Sequence, residues 1–195
     1  MEDFRIPYSR FEGRDDFNSI AREILEMPGL AVADISFPKL IKDEIAFREK
    51  LLDWSGSSVF GNGVYVFRKF NEGIHHPIYV GQAPDEFLKR IFQHLDTRPK
   101  RGYGFNAMLQ YIARDVLKIY DDQNGLQEAR DWIQDGGSLI LVDMEGAESM
   151  SLSYRQWEGR LIRAMYAVTH KPEWMQQWPK SREKLLQKNK HLGLQ

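Results

Sequence analysis

The sequence predicts an α+β domain in which helices flank a small three-stranded sheet and a helical N-terminal extension precedes it. Two β-rich runs joined by turn residues lead into a helical pattern, and further apolar residues recur at helical spacing. A short apolar run near residue 140 has the length of a central strand. We expect an extension at residues 1–58, a main domain at 59–179 and a basic C-terminal segment at 180–195.

Length and composition limit the possible classes of protein. The 195 residues are 42% hydrophobic, which suffices for one buried core. No apolar run approaches the roughly 20 residues that cross a bilayer, and no signal-peptide core is found at the N-terminus. We therefore expect a cytoplasmic protein without membrane contacts. The absence of cysteine excludes disulfides, thiolate metal sites and a cysteine nucleophile.

The N-terminal extension contains two predicted helices. Residues 1–14 lack periodicity and are expected to lie as an arm over the domain. Asp15 or Asp16 can cap a helix that ends near Pro28. Residues 30–37 form either a short strand or an apolar connection. Residues 38–54 then again have apolar side chains at helical spacing, which predicts the second helix.

A β-hairpin is predicted next. Its strands lie at residues 63–70 and 78–80, and residues 71–73 supply turn chemistry between them. The spacing predicts a long hairpin loop in which His75 and His76 are exposed to solvent.

A helix is expected to begin at about residue 84, where a proline and two acidic residues suit the first turn. Its apolar face comprises Phe87, Leu88, Ile91, Phe92 and Leu95. Arg90 and His94 are four residues apart and therefore neighbours beside that face.

The next predicted elements alternate between helix and strand. A basic loop at residues 96–104 precedes helices at 105–120 and 126–134, and Gly136 ends the second helix. Residues 138–144 form the third predicted strand.

The last predicted helix carries an unusual carboxylate. Ser153 and Gln156 resemble a capping box, so the helix starts there and runs towards residue 170. Glu158 lies on its apolar side, where an unpaired charge is costly. The Glu158 carboxylate must therefore pair with Arg90 or Arg155, join a hydrogen-bond network, bind a metal, or lie at an edge position that reaches water.

Charge is unevenly distributed along a chain whose net charge is −1. Residues 1–50 carry eight Lys/Arg against eleven Asp/Glu, whereas residues 89–114 carry six against one. Residues 180–191 carry five against one. The two basic segments form either solvated faces or local attractors for phosphates.

The two strands of the predicted hairpin carry the triplets GVY at 63–65 and YVG at 79–81. These triplets match the two signature triplets of the GIY-YIG endonuclease superfamily, which the chain resembles over residues 61 to about 175. Arg90 and His94 match its RxxxH pair, and Glu158, followed by Leu161 and Ile162, matches its metal-binding glutamate. The gap between the triplets is slightly longer than usual in the family.

The resemblance implies a metal-dependent DNA endonuclease that hydrolyses phosphodiester bonds. Tyr65 would be the general base, with His94 accepting its proton and Tyr79 placing a hydroxyl near the phosphate. Arg90 would hold the scissile phosphate. Glu158 would hold Mg²⁺ or Mn²⁺, since such cations accept one carboxylate plus water and phosphate oxygens.

DNA is the partner that this resemblance implies. Arg98, Lys100 and Arg101, in the basic loop, are the expected nucleic-acid contacts. One active site cuts one strand, so a double-strand cutter would need a homodimer or sequential nicking.

One departure from the family pattern leaves alternatives open. Met175 stands where the family has an asparagine that helps to shape the active site, and Asn189 or another polar group is a possible replacement. The alternative function is a catalytically weakened GIY-YIG-like module that binds nucleic acid or protein. A third is an α+β interaction protein in which Tyr65, Arg90 and Glu158 lie far apart.

Overall fold

A five-stranded mixed sheet forms the centre of the molecule. The structure is a computed structural model that describes residues 5–34, 44–55, 61–98, 106–147 and 152–169. The strands are β1 (Arg5–Pro7), β2 (Leu30–Ala31), β3 (Gly63–Asn71), β4 (Ile74–Ala83) and β5 (Gly137–Asp143). β3 pairs antiparallel with both β4 and β5. β5 also pairs with β1 in parallel and with β2 antiparallel. β4 lies at one end of the strand order.

The α+β class is confirmed, but the prediction of three strands is wrong. The three predicted strands are present, and the N-terminal part adds the short strands β1 and β2 to β5. β1 has three residues and β2 has two, which is too short for an alternating pattern to be recognised. The prediction that residues 1–14 form only an arm is therefore also wrong for β1.

The hairpin of β3 and β4 has a tight turn instead of the predicted long loop. Glu72 and Gly73 occupy the turn with φ of 53° and 81°, the left-handed conformations of a two-residue hairpin turn. The extra length between the triplets lies in the strands, with a register irregularity between Phe67 and Arg68. His75 and His76 belong to β4, and His76 is only 1% exposed, so their predicted exposure in a loop is wrong.

Helices follow the predicted order with shifted boundaries. They are α1 (Phe17–Glu26), α2 (Glu44–Ser55), α3 (Phe87–Leu95), α4 (Ala107–Tyr111), α5 (Asp122–Gln134) and α6 (Tyr154–Val168). The Asp16 carboxylate caps α1, and Ser153 with Gln156 forms the predicted capping box of α6. None of the described helices is long and apolar enough to span a membrane.

The largest boundary error concerns the helix predicted at residues 105–120. Instead, α4 is followed by one π-helical turn at Ile112–Val116, and Lys118 adopts a φ of 60° that ends the helix. A single π turn is rare and has no simple sequence signature, so the sequence pattern predicted one continuous helix. The predicted boundary near residue 58 and the basic segment at 180–195 lie outside the described residues.

Alternate residues of β3 enter two hydrophobic cores. Tyr65 and Phe67 pack with α3, α4 and α5 on one face of the sheet. Val64 and Val66 pack with α1 and α6 on the other face. This alternation follows from the two-residue period of a strand. It places the RxxxH helix and the helix of Glu158 on opposite faces of the sheet.

A buried arginine joins β3 to the end of α1. Arg68 is 0% exposed, and its Nη1 donates to the carbonyl oxygens of Ile24, Leu25 and Met27 at 2.7–2.9 Å. Its Nε and Nη2 donate to the Ser138 hydroxyl on β5 at 3.1 and 3.0 Å. A guanidinium therefore satisfies the carbonyls that the last turn of a helix leaves without partners.

We predict that Arg68→Met lowers the free energy of unfolding by roughly 3 kcal/mol, because several buried acceptors lose a charged donor. Arg10→Met is the control: Arg10 forms an exposed salt bridge with Glu23, and its loss should cost about 1 kcal/mol or less. Urea unfolding measures both values. Equal losses in the two variants would contradict a structural role for Arg68.

Candidate active site

Tyr65 lies on the inner strand β3, and its ring crosses the outer strand β4. Tyr65 and Gly81 are partners in the β3–β4 register. A Cβ atom on Gly81 would come within 2.2 Å of the Tyr65 hydroxyl oxygen. Only glycine leaves room for this ring, which carries the hydroxyl outward across β4. The two signature triplets therefore contact each other through Tyr65 and Gly81.

The Tyr65 hydroxyl meets His94 of α3. The Tyr65 Oη and His94 Nε2 atoms are 2.7 Å apart, and both side chains are buried, with exposures of 2% and 3%. Burial, aided by the charge of Arg90, lowers the pKa of His94 to about 3. His94 is therefore neutral at pH 7, and its Nδ1 has no hydrogen-bond partner among the described residues.

Tyr79 lies against both of these rings. Its ring is nearly parallel to that of Tyr65, with centroids 6.4 Å apart, and its centroid is 4.5 Å from that of His94. The side chain is half-buried, so part of it remains open to solvent. Tyr65, Tyr79 and His94 thus form one aromatic cluster, as the resemblance implies.

Arg90 occupies the preceding turn of α3 and is half-buried. Its Nη1 donates to the Gln93 Oε1 atom at 3.0 Å. Both side chains line a pocket of about 170 Å³ together with Lys89 and the end of β4. The sequence prediction did not include Gln93, although its position three residues after Arg90 on a helix was a usable signal.

Glu158 approaches from the opposite face of the sheet and is half-buried on α6. Burial raises the pKa of its carboxyl to about 7, against the opposing effects of Arg155 and Arg90. Neither arginine forms a salt bridge with Glu158, and the carboxylate makes no hydrogen bond within the described part of the chain. Direct pairing with Arg90 or Arg155, one of the alternatives from the sequence, is therefore not observed.

Electrostatics connect Glu158 to the tyrosine cluster. Burial raises the pKa of Tyr65 well above its usual value, and the charges of Tyr79 and Glu158 raise it further, whereas Arg90 lowers it. Such effects act only over short distances in a protein. Arg90 and Glu158 thus both act on the phenol, and their helices α3 and α6 both pack against β4.

A hydrogen bond holds α6 against the start of β3. The Tyr154 hydroxyl donates to Asn62 Oδ1 at 2.7 Å, and Tyr154 lies one turn before Glu158. Asn62 precedes the first triplet. The pair links the helix of the carboxylate to the strand of Tyr65. Because 92 residues separate its two members, no local sequence pattern identifies it.

The predicted nucleic-acid contacts lie mostly outside the described residues. Lys100 and Arg101 lie there, as does Met175. Arg98 is described, and its Nε and Nη2 bond the fully buried Asp96 carboxylate at 2.8–3.2 Å. Arg98 is thus held in an ion pair with Asp96, and a contact between Arg98 and DNA stays a prediction.

Among the described side chains, the Glu158 carboxylate is the candidate ligand for a cation. Within the ranges described, no three His, Asp or Glu side chains group as metal ligands. Glu158 nevertheless combines partial burial, a raised pKa and no direct cationic contact among these residues. A divalent cation would compensate this charge, and Mg²⁺ accepts a single carboxylate with water and phosphate oxygens completing its shell.

The chain was also compared with known proteins. No family model, curated protein or solved structure matches it. The resemblance to GIY-YIG nucleases therefore depends on the residues described above and on their arrangement.

We predict that Gly81→Ala displaces the Tyr65 ring, because the added methyl group overlaps the phenol. The expected loss in free energy of unfolding is about 1–3 kcal/mol, typical of overpacking. Gly159→Ala is the control: no atom of the described residues lies within 4 Å of its Cβ position on α6, so alanine should stabilise the protein by about 0.5–1 kcal/mol. Urea unfolding tests both variants, and an unchanged stability in Gly81→Ala would contradict the contact.

Glu158 predicts a specific pH dependence of stability in metal-free buffer. The folded protein keeps the Glu158 proton up to about pH 7, whereas the unfolded chain loses it near the ordinary pKa of 4.5. The folded state therefore binds more protons in this window, and stability falls as pH rises through it. We expect the free energy of unfolding of the wild type to decrease relative to Glu158→Gln between about pH 5 and 7. A constant difference would contradict the raised pKa.

Proposed function

We propose that the protein is a DNA endonuclease of the GIY-YIG type that uses Mg²⁺ or Mn²⁺. The observation that carries this proposal is the 2.7 Å contact between the Tyr65 hydroxyl and His94, at a position where Arg90 and Glu158 both act on the phenol. A phenol, a neutral imidazole, a guanidinium and a carboxylate together provide the groups that phosphodiester hydrolysis requires.

Each residue has a role that follows from its chemistry. Water attacks the phosphorus while its proton passes to the Tyr65 oxygen, and the Tyr65 hydrogen passes to His94 Nε2. Neutral His94 can accept this hydrogen, whereas a protonated imidazole could not. The bond from phosphorus to the 3′ oxygen breaks, and the leaving oxygen takes a proton from solvent.

Arg90 binds the scissile phosphate with its planar set of donors. One of these donors, Nη1, bonds the Gln93 Oε1 atom, and this bond orients the guanidinium. Tyr79 directs its hydroxyl towards the same phosphate from the edge of the aromatic cluster.

Glu158 holds the divalent cation in this proposal. When bound, the cation compensates the carboxylate and stabilises negative charge on the phosphate and the leaving oxygen. Removing the negative charge of Glu158 also removes one of the effects that raise the pKa of Tyr65. The Tyr65 phenol would then release its proton to His94 more readily than in the metal-free protein.

A second function is favoured by burial. Tyr65 and His94 are only 2% and 3% exposed, which limits the access of water to the phenol. A module that binds DNA without cleaving it would tolerate this arrangement. Retention of DNA that depends on salt, without turnover in Mg²⁺ or Mn²⁺, would favour binding over catalysis.

The test is cleavage of supercoiled and linear DNA in Mg²⁺ or Mn²⁺. We expect the wild type to cleave, and Tyr65→Phe and Glu158→Gln to be slower by about 10²-fold or more. Tyr8→Phe removes the hydroxyl of a different buried tyrosine, packed against Trp157, and should cleave like the wild type. Absence of wild-type cleavage over a broad substrate panel, or equal rates in all variants, would overturn the proposal.

A further inference from the structure

The solvent side of α6 carries a row of two arginines with a glycine between them. Arg155, Gly159 and Arg163 are spaced by four residues, so they lie along one line on the helix. Both arginines are exposed. No atom of the described residues lies within 4 Å of the Cβ position of Gly159, so none of them covers the middle of the row.

Gly159 has no explanation within the described part of the chain. Glycine is less favourable in the middle of a helix than any residue except proline. Gly159 has ordinary helical backbone angles, and no neighbouring atom is close enough to forbid a side chain. A glycine at such a position allows the backbone of another molecule to approach the helix closely.

Charge indicates what kind of molecule this row accepts. Among the described residues, Arg155 and Arg163 make no salt bridge, and Glu158 is the single acidic residue of α6. Arg160 adds a positive charge on the side towards α1, where its guanidinium lies 5.6 Å from the Phe17 ring centroid. Asp15 and Asp16 precede Phe17 and reduce the net charge on that side. The Arg155 to Arg163 row is therefore the more positive part, and phosphates are the complementary ligand.

The row starts at the candidate active site. Arg155 is three residues before Glu158, and its charge acts on that carboxylate. From Arg155 to Arg163 the helix rises about 12 Å, at 1.5 Å per residue. One strand of a DNA duplex has a phosphate about every 3.4 Å along the axis, so the row faces several successive phosphates.

We propose that Arg155, Gly159 and Arg163 bind the phosphodiester backbone of a DNA duplex on one side of the cleaved phosphate. The arginines contact phosphates, and Gly159 lets the sugar-phosphate chain lie directly on the helix between them. This inference rests on the proposed endonuclease function. It assigns the DNA-binding surface to α6, in addition to the loop around Arg98.

The experiment measures binding of a fluorescent duplex by polarisation over a series of salt concentrations, in EDTA to prevent cleavage. Arg163→Gln should bind about tenfold more weakly at low salt and reduce the slope of log K against log salt by about one. Gly159→Gln should also bind more weakly, although its melting temperature should equal or exceed that of the wild type. Lys118→Gln is the control, since Lys118 is an exposed lysine beside the core on the other face of the sheet.

The outcomes separate this inference from the proposed function. Wild-type affinity in Arg163→Gln and Gly159→Gln, with DNA cleavage intact, would overturn the α6 surface and leave the nuclease proposal standing. Equal losses in Arg163→Gln and Lys118→Gln would also overturn it, because binding would then depend on overall charge. If the wild type neither binds nor cleaves DNA, both proposals fail together.

Discussion

The candidate site depends on the passage of the Tyr65 ring across Gly81. Because a strand alternates its side chains, Tyr65 lies in the same core as Phe67, on the α3 side of the sheet. Within this core, the missing side chain at Gly81 lets the phenol extend over β4 and reach His94 at 2.7 Å. The hydroxyl thereby comes under the influence of Arg90 and Glu158. Without this close approach, the Tyr65 hydroxyl would not reach His94.

β4 lies at the end of the strand order and contacts the helices of both faces. α3 and α6 pack on opposite faces of the sheet, and each of them contacts β4. Two contacts fix α6 relative to the hairpin, namely the Tyr154 bond to Asn62 and the core packing around Trp157. Partial burial raises the pKa of the Glu158 carboxyl, and nearly complete burial raises the pKa of the Tyr65 phenol. Under the proposed function, a cation and a phosphate would bind here.

Local patterns in the sequence predicted the elements that carry this site, but not every contact within it. The hairpin, the capping box at Ser153 and the buried strand β5 have short-range signals, and the structure contains all three. The strand β1 was missed, and β2 was left as an alternative to an apolar connection, because two or three residues carry no period and their pairing with β5 depends on distant sequence. His75 and His76 were assigned to a loop because a polar run resembles a turn, whereas Glu72 and Gly73 alone make the turn. The raised pKa of Glu158 depends on its burial. The sequence placed Glu158 on the apolar side of α6 but did not predict how deeply it is buried.

The most direct measurement of the central claim is the effect of Mn²⁺ on NMR signals of the labelled protein. The account predicts that paramagnetic broadening is strongest around Glu158, and that it extends across β4 to Tyr65, Gly81 and Arg90. Glu158→Gln should abolish this pattern. Broadening confined to other parts of the molecule, or broadening at Glu158 that does not reach Tyr65 and Arg90, would contradict a shared site for the carboxylate, the phenol and the guanidinium.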